Sequence, residues 1–271
     1  MLKYMTVSSL VEYIEDNIET KFIKIEDLTQ YSGYSRRHLQ TTFKEYIGIP
    51  IGRYIRMRRA SRAAALLRLT KLTVIEISDR FFYDSQQTFT REFKKLFGYT
   101  PRQYRVNPFW SFNNLLGRRD INTIYPEPKI CYLKERKIIG KRFDFDEVII
   151  YSGVNSKTRW GRFYNSIKND TFVTVSNRIP FHVNTNGKTI ARTVVWADRE
   201  QSNCEIIIDS GLYAHFSFSS TLDDYPNYLY NIYYNSLPLF NLNKKDSYDV
   251  EIIKKRSNGI LDCHYYLPIH C

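Results

Sequence analysis

Residues 84–105 read DSQQTFTREFKKLFGYTPRQYR, and a similar plan, YSRRHLQTTFKEYIGIPIGRYI, stands fifty positions earlier at residues 34–55. Identical residues occupy five equivalent pairs of positions: Ser35/Ser85, Phe43/Phe93, Lys44/Lys94, Gly48/Gly98 and Tyr54/Tyr104. Each copy follows a short amphipathic segment and a tight turn, which is the layout of a helix-turn-helix unit. The repeat therefore predicts two such units in tandem, each with one helix able to enter a DNA groove.

In the first copy, Ser35 is placed to cap a helix that Gly48 terminates. Leu39, Phe43 and Ile47 recur every four residues, which is typical of a buried helix face. The opposite face carries side chains of the types that bond base edges and phosphates. These side chains are Arg36, Arg37, Gln40, Thr41 and Lys44. For a single helix, an ordinary solvated face is an equally good interpretation.

The second copy favours DNA reading, because the same face is polar again. Phe89, Phe93 and Phe97 predict its buried side. The outward residues at the five equivalent positions are Gln86, Gln87, Thr90, Arg91 and Lys94. Adjacent glutamines at a helix start are suited to bonding adenine edges, and an arginine is suited to guanine.

Two features concern the connections. Phe82 stands where the first unit has Gly33, and the second turn holds one extra residue, so we expect that turn to be built differently. Residues 52–69 predict a stiff helix of about 25 Å, which would hold the two reading helices about one duplex turn, ~34 Å, apart. We expect its arginines mostly at the surface, some of them against phosphates: Arg53, Arg56, Arg58, Arg59 and Arg62.

The strings SGYSRRHLQTTFK, IGRYIRMRRAS and residues 84–105 resemble the DNA-binding domain of the AraC/XylS family of bacterial transcription regulators. The resemblance spans about residues 5–108. It implies a monomer that binds an asymmetric promoter site and activates stress or multidrug-resistance genes through RNA polymerase. It also adds Thr88 to the DNA-contacting residues. Arg37 and Thr41 stand where close relatives carry tryptophan and arginine, so we expect a shifted preference in the first half-site.

The net charge of +12 is concentrated in the half that carries the repeat. Residues 1–118 hold 20 Lys and Arg against 11 Asp and Glu, a net +9. The remaining residues hold 20 against 17, a net +3. Neutralisation of phosphates requires such a distribution, whereas a general aid to solubility does not. The charge thus favours a nucleic-acid partner.

Several other classes find no support in the sequence. The histidines lie apart, no hydrolase or phosphate-loop motif occurs, and we expect no catalytic residue, cofactor or metal. The four cysteines form no CxxC pair. Cys263 and His264 with His270 and Cys271 are better explained by alternation on a terminal strand. No apolar run is long enough for a membrane span and no secretory signal is recognised, so we expect a cytoplasmic protein without a membrane partner.

Beyond a predicted linker at residues 108–121, the pattern changes to strands with two helices. Residues 212–220, LYAHFSFSS, and 263–270, CHYYLPIH, alternate apolar and polar side chains. Two apolar stripes at helical spacing predict the helices: Trp160, Phe163, Tyr164 and Ile167, and again Tyr225, Leu229, Ile232 and Tyr233. Two strand-helix-strand halves predict a curved antiparallel sheet. The order of elements resembles the GyrI-like effector domain, which implies a cleft for an amphipathic or cationic small molecule, lined by aromatics and often containing a buried carboxylate.

The candidates for that cleft are Trp160, Tyr164, Trp196, Tyr233 and Glu251. Core packing is the alternative for each aromatic, and solvent exposure is the alternative for the glutamate. The predicted organisation is an all-α tandem helix-turn-helix domain at residues 1–107, then the linker, then a GyrI-like antiparallel sheet domain at 122–271. The predicted function is transcriptional regulation, and the alternatives are an architectural or origin-associated DNA binder without promoter regulation, or, more remotely, a small-molecule hydrolase.

Overall fold

The computed structural model describes residues 2–119, 126–148, 171–179 and 188–270. Residues 2–107 are helical, and the sheet lies in the C-terminal half, as the sequence predicted. The helices are α1 (Leu2–Asn17), α2 (Ile25–Ser32), α3 (Arg36–Ile47), α4 (Ile51–Leu69), α5 (Val74–Arg80), α6 (Gln86–Phe97) and α7 (Pro101–Val106). None of the described helices is both long and apolar enough to cross a membrane.

The predicted caps of the two reading helices are present. The Ser35 side chain accepts a hydrogen bond from the backbone N–H of His38 at the start of α3, and Ser85 accepts one from Thr88 at the start of α6. Gly48 and Gly98 end these helices with φ of 84° and 78°. Only glycine adopts this left-handed conformation without a steric cost, so both helices end at the predicted positions.

The turns before the two reading helices differ as expected, yet they share one backbone conformation. Gly33 follows α2 with φ of 69°. In the second unit Phe82 takes φ of 58°, one residue beyond the end cap Phe81. A non-glycine residue in this region is strained and must be held by its surroundings. Here the backbone N–H groups of Phe82 and Tyr83 bond to the carbonyls of Asp79 and Ser78.

The arginines of α4 differ from the surface placement expected for them. Arg53 and Arg56 are exposed, but three others are buried: Arg58, Arg59 and Arg62. The helix runs through the middle of the domain and is covered on most of its circumference, so its charges need partners inside the protein. Glu15 on α1 supplies the carboxylate for two of them, Arg58 and Arg62.

In the part of the chain that the structure describes, ten strands make up the C-terminal sheet: β1 (Phe109–Ser111), β2 (Lys129–Leu133), β3 (Arg136–Val148), β4 (Phe172–Arg178), β5 (Lys188–Trp196), β6 (Cys204–Ile208), β7 (Gly211–Ser220), β8 (Asn243–Lys245), β9 (Val250–Lys255) and β10 (Leu261–His270). The pairs that these strands form are antiparallel. The alternating segments at 212–220 and 263–270 form neighbouring strands β7 and β10, with Phe216 opposite Tyr265.

A helix packs on one face of this sheet. It consists of α8 (Tyr225–Asn231), a π-helical turn (Ile232–Ser236) and a short final turn (Leu237–Leu239). Its buried stripe contains the predicted Leu229, Ile232 and Tyr233. Widened π turns commonly occur at functional positions in helices. The other predicted helical stripe, around Trp160, lies outside the described residues.

Residues predicted to form a polar linker are instead buried between the two halves of the chain. Phe109–Ser111 form β1, which pairs with β8 of the C-terminal sheet. Trp110 and Phe112 are 2% and 0% exposed, and the two rings pack against each other at a tilt of 31°, with centroids 4.8 Å apart. These aromatic side chains gain more from burial than from exposure in a flexible connection. Residues 109–112 are therefore a structural element of the C-terminal half.

The hydrophobic cores do not follow the predicted domain boundary. One continuous core joins the second helix-turn-helix unit to the sheet domain; it includes Phe93, Tyr104, Phe112, Tyr233 and Leu267. The first unit has its own core, built on residues such as Leu10, Ile14, Phe43 and Tyr54. Leu116 also belongs to the core of the first unit, although it comes from beyond α4 in the sequence. Unit two is thus fused to the sheet domain, while unit one packs separately.

Candidate nucleic-acid interface

The predicted reading face of α3 is open to solvent along its whole length. All five side chains proposed to meet DNA are exposed: Arg36, Arg37, Gln40, Thr41 and Lys44. The opposite face is buried, with Leu39 and Phe43 at 1% and 0% exposure. Packing thus fixes the rotation of the helix and turns its hydrogen-bonding side chains outward, as insertion into a major groove requires.

The face of α6 has the same orientation with respect to its core. Four of its predicted residues are exposed and two are half-buried: Gln86, Gln87, Arg91 and Lys94, then Thr88 and Thr90. Phe89 and Phe93 are fully buried, with ring centroids 5.4 Å apart. The Thr88 hydroxyl lies 3.1 Å from the Ser85 hydroxyl at the helix start. These groups leave α6 with donors and acceptors at its N-terminal end, where a reading helix contacts bases.

The space between the two reading helices contains Arg56, one of the α4 arginines for which the sequence predicted either surface exposure or a phosphate contact. A cleft of about 330 Å³ lies between the units, lined by residues of α4 and α6 that include Arg56, Arg59, Thr88 and Glu92. Arg56 is exposed and also lines a surface pocket with Arg91. A cation between two groove-binding helices is placed to meet the intervening phosphate backbone.

Tyr233 and Glu251, two of the candidate effector residues, lie together in the C-terminal half. Both line an internal cavity with a volume of about 10 Å³, close to that of one water molecule. Glu251 is fully buried, and it sits opposite Tyr265 in the β9–β10 register. Its side chain therefore points into the interior between sheet and α8, not to solvent.

Polar groups around this cavity are connected by hydrogen bonds. The hydroxyls of Tyr233 and Tyr265 are 3.0 Å apart, and that of Tyr265 donates to Asp249 at 2.8 Å. Lys244 is also buried there; burial lowers the pKa of its ammonium, and the nearby carboxylates of Asp249 and Asp246 oppose that effect. The site is thus a compact polar network in an otherwise apolar core.

The remaining effector candidates are not brought to this cavity. Trp196 lies in a separate cluster with Val194 and Ile206, on the other face of the sheet from Tyr233. Its indole N–H donates to the Ser176 hydroxyl at 3.0 Å. Trp160 and Tyr164 lie outside the described residues. Asp249 and Lys244 were missed because Asp249 precedes a strand and Lys244 stands in a run of charged residues, and neither pattern indicates burial.

Comparison with known proteins agrees with this arrangement. A family model described as a helix-turn-helix domain matches residues 28–107, and one described as a GyrI-like small molecule binding domain matches residues 126–270. The F1 operon positive regulatory protein of Yersinia pestis is 65% identical over 273 residues, which cover 100% of this chain and 90% of that protein.

Two further relatives share one or both halves. The right origin-binding protein of Escherichia coli K12 is 25% identical over 257 residues, covering 90% of this chain and 89% of that protein. The HTH-type transcriptional activator AarP of Providencia stuartii is 40% identical over 110 residues, covering 41% of this chain and 80% of that protein. The similarity therefore covers about two fifths of this chain in one relative and nine tenths or more in the two others.

Proposed function

This chain belongs to the AraC family of DNA-binding transcriptional regulators and is not an enzyme, and we propose that it activates transcription by inserting α3 and α6 into successive major grooves of one promoter site. The observation that carries this proposal is the matched orientation of the two helices. Each buries its apolar stripe and turns the same five positions outward, fifty residues apart; all are exposed except Thr90, which is half-buried. Two linked reading helices on one chain suit a DNA duplex read from one side.

The two reading faces are chemically different, so the site we propose is asymmetric and is bound by a monomer. The first face offers Arg36 and Arg37 where the second offers Gln86 and Gln87. A symmetric dimer would read two equal half-sites, whereas one chain with two unlike helices reads two unlike ones. Sedimentation of the complex with a single duplex tests this: one chain per duplex is expected, and two chains would contradict it.

We expect the second half-site to follow the family pattern and the first to be shifted. Replacing a bidentate arginine changes discrimination by about 1–3 kcal/mol per base pair. The test compares binding to duplexes in which either half is scrambled, at one fixed salt concentration. Unequal losses are expected. Equal tolerance of both scrambled halves would contradict the assignment.

The regulated genes are proposed from the relatives. The name of the Yersinia pestis relative describes positive regulation of an operon, and that of the Providencia relative describes activation. We therefore propose activation of an operon through contact with RNA polymerase in the cytoplasm, with stress or multidrug-resistance genes as the alternative targets. A promoter-reporter assay with purified RNA polymerase should show a rise in transcript that depends on the site. An architectural DNA binder would occupy the site and leave transcription unchanged.

The C-terminal half is proposed to bind an amphipathic cation at the cavity of Tyr233 and Glu251. Glu251 and Asp249 place two carboxylates around this cavity beside the ring of Tyr233, and a ligand cation is attracted both by carboxylates and by the face of an aromatic ring. Crystal violet, an amphipathic cation, serves as a probe in calorimetric titration, with the anion fluorescein as its matched control. We expect Glu251→Gln to weaken crystal violet binding by at least tenfold. Equal binding by both proteins would exclude this site.

A further inference from the structure

The strap, residues 115–119, joins the two separately packed bodies of the protein. One body is the second helix-turn-helix unit together with the sheet domain, and the other is the first unit. Leu115 belongs to the core that the second unit shares with the sheet domain, and Leu116 belongs to the core of the first unit. The two side chains are 4% and 5% exposed. A change in the position of the strap therefore acts on the contact between the two reading units.

On one side, the strap is bonded to helices that carry the first unit. Arg58 donates to the carbonyl of Leu116, and the N–H of Leu116 donates to the Ser61 hydroxyl at 2.8 Å. The N–H of Arg119 donates to the Tyr54 hydroxyl at 3.4 Å. That hydroxyl and Arg58 both bond to Glu15 of α1, so the strap continues directly into the network that holds α1 against α4.

On the other side, the strap is held by α8 and the π turn. The N–H of Arg118 donates to the hydroxyl of Tyr230. Gly117 packs so closely that a Cβ atom there would lie 2.8 Å from Cβ of Tyr234 and 2.9 Å from Oδ1 of Asn235. Real Cβ atoms do not approach other atoms to 2.8 Å, so the strap lies directly against the π turn, and a shift of that turn towards the strap displaces the strap.

The same helix forms one wall of the effector cavity. Leu229 and Tyr233 line the cavity, and Tyr230 and Tyr234, their neighbours in sequence, face the strap. The cavity has room for about one water molecule, so a larger ligand enters only if its walls move. A packed interior transmits such a displacement because it contains little free space.

We propose that the sheet domain controls DNA binding by setting the placement of the first helix-turn-helix unit relative to the second, with the strap as the moving link between α8 and α4. The inference rests on the proposed function, because it assumes that both units read DNA. The second unit shares a core with the sheet domain, while the first unit is held through the strap, α4 and α1. The sheet domain would therefore determine which spacing between the two half-sites the protein binds best. Coupling of this kind typically changes affinity by 5–150-fold.

The test uses the full chain and three duplexes. The first carries the selected site, which is the sequence that the wild type recovers from a random pool of duplexes. The second carries the same site with one base pair inserted between its halves, and the third carries only the second half-site. Tyr230→Phe removes the hydroxyl that accepts from the strap and keeps the ring. Tyr228→Phe is the matched control, since Tyr228 lies on the same helix and stacks on Phe218, 4.7 Å away.

The preference of the wild type for the selected site over the lengthened site is expected to fall at least fivefold in Tyr230→Phe, because the first unit gains freedom of placement. Binding to the second half-site alone should stay unchanged, as should all binding by Tyr228→Phe. Gly117→Ala, which forces the strap away from Tyr234, should act in the same direction if it folds. If it does not fold, Tyr230→Phe decides.

An unchanged spacing preference in Tyr230→Phe would overturn the inference, and so would an equal loss on all three duplexes. The proposed function fails in a different way: the wild type itself would then show no preference for the selected site over a scrambled duplex. Spacing data from a wild type that does prefer its site therefore test the strap alone.

Discussion

Glu15 of α1 and Arg58 of α4 form a buried, two-bonded ion pair, with both nitrogen–oxygen distances at 2.7 Å. Their side chains are 8% and 1% exposed. Arg62 donates to the same carboxylate at 2.8 Å, so one negative charge serves two arginines. The pair connects the first helix of the chain to the central helix between the reading units, and thereby holds the first unit in place.

Glu15→Gln should destabilise the protein strongly. The change leaves Arg58 and Arg62 buried without their shared negative charge, and breaking a buried pair costs about 3–5 kcal/mol. Urea unfolding followed by circular dichroism measures the loss. Glu205→Gln is the control, because the Glu205–Lys137 pair is 48% and 67% exposed and contributes only about 0–1 kcal/mol. Similar losses for both variants would contradict the role given to Glu15.

Stability should also fall in acid because of Glu15. Burial alone would raise the pKa of its carboxyl, but the charges and hydrogen bonds of Arg58 and Arg62 outweigh burial and lower the pKa from the ordinary value of 4.5 to about 2. A carboxyl with a depressed pKa stabilises the folded state above its unfolded pKa and loses that contribution as pH falls through the folded pKa.

The relevant window therefore lies between pH 4.5 and about 2. At about 1.4 kcal/mol for each pH unit, the ionised form contributes about 3 kcal/mol, which disappears across this window. Unfolding measured at several pH values should show a shallower decline for Glu15→Gln than for the wild type. Parallel curves for the two proteins would show that another group dominates.

Arg91→Ala should remove sequence discrimination while leaving general DNA affinity nearly intact. Arg91 is exposed on the reading face of α6, and a bidentate contact with guanine contributes about 1–3 kcal/mol of discrimination. Fluorescence anisotropy with specific and scrambled duplexes gives both affinities. Lys137→Ala, on the sheet domain, is the control and should change neither.

Lys94→Ala should behave differently from Arg91→Ala. Lys94 lies towards the end of α6, and we assign it to a phosphate. Its loss should weaken binding to all sequences alike and reduce the slope of log affinity against log salt by about 1. A titration between 50 and 200 mM salt resolves this change. Over that interval, the affinity of a protein with several phosphate contacts falls by roughly 10³–10⁵-fold. If Arg91→Ala and Lys94→Ala gave the same pattern, the division into base and phosphate contacts would be wrong.

Local patterns predicted the reading helices well, since the cap, end glycine and apolar stripe of each helix all lie within a segment of fourteen residues, 35–48 and 85–98. Ser35 and Gly48 alone fix the ends of α3. The alternating strands β7 and β10 were predicted for the same reason. The identity of each element was thus set by neighbours in sequence, and the direction of each helix face followed from its stripe.

Long-range contacts were not predictable in this way. Arg58 looks like a surface residue in an arginine-rich helix, and only its partner 43 positions away, Glu15, explains its burial. Trp110 lies in a segment whose polar residues suggest a linker, yet its strand pairs with residues 243–245. For Glu251 the sequence left burial and solvent exposure both open, and only the strand register, which places it opposite Tyr265, decides for burial.

Insertion of α3 and α6 into successive major grooves is best tested by selecting bound duplexes from a random pool and mapping the recovered site by hydroxyl-radical footprinting. We expect one asymmetric sequence with two protected segments on the same side of the duplex, centred about one helical turn, ~34 Å, apart. Recovery of no preferred sequence, with protection that is uniform and vanishes with salt, would contradict it.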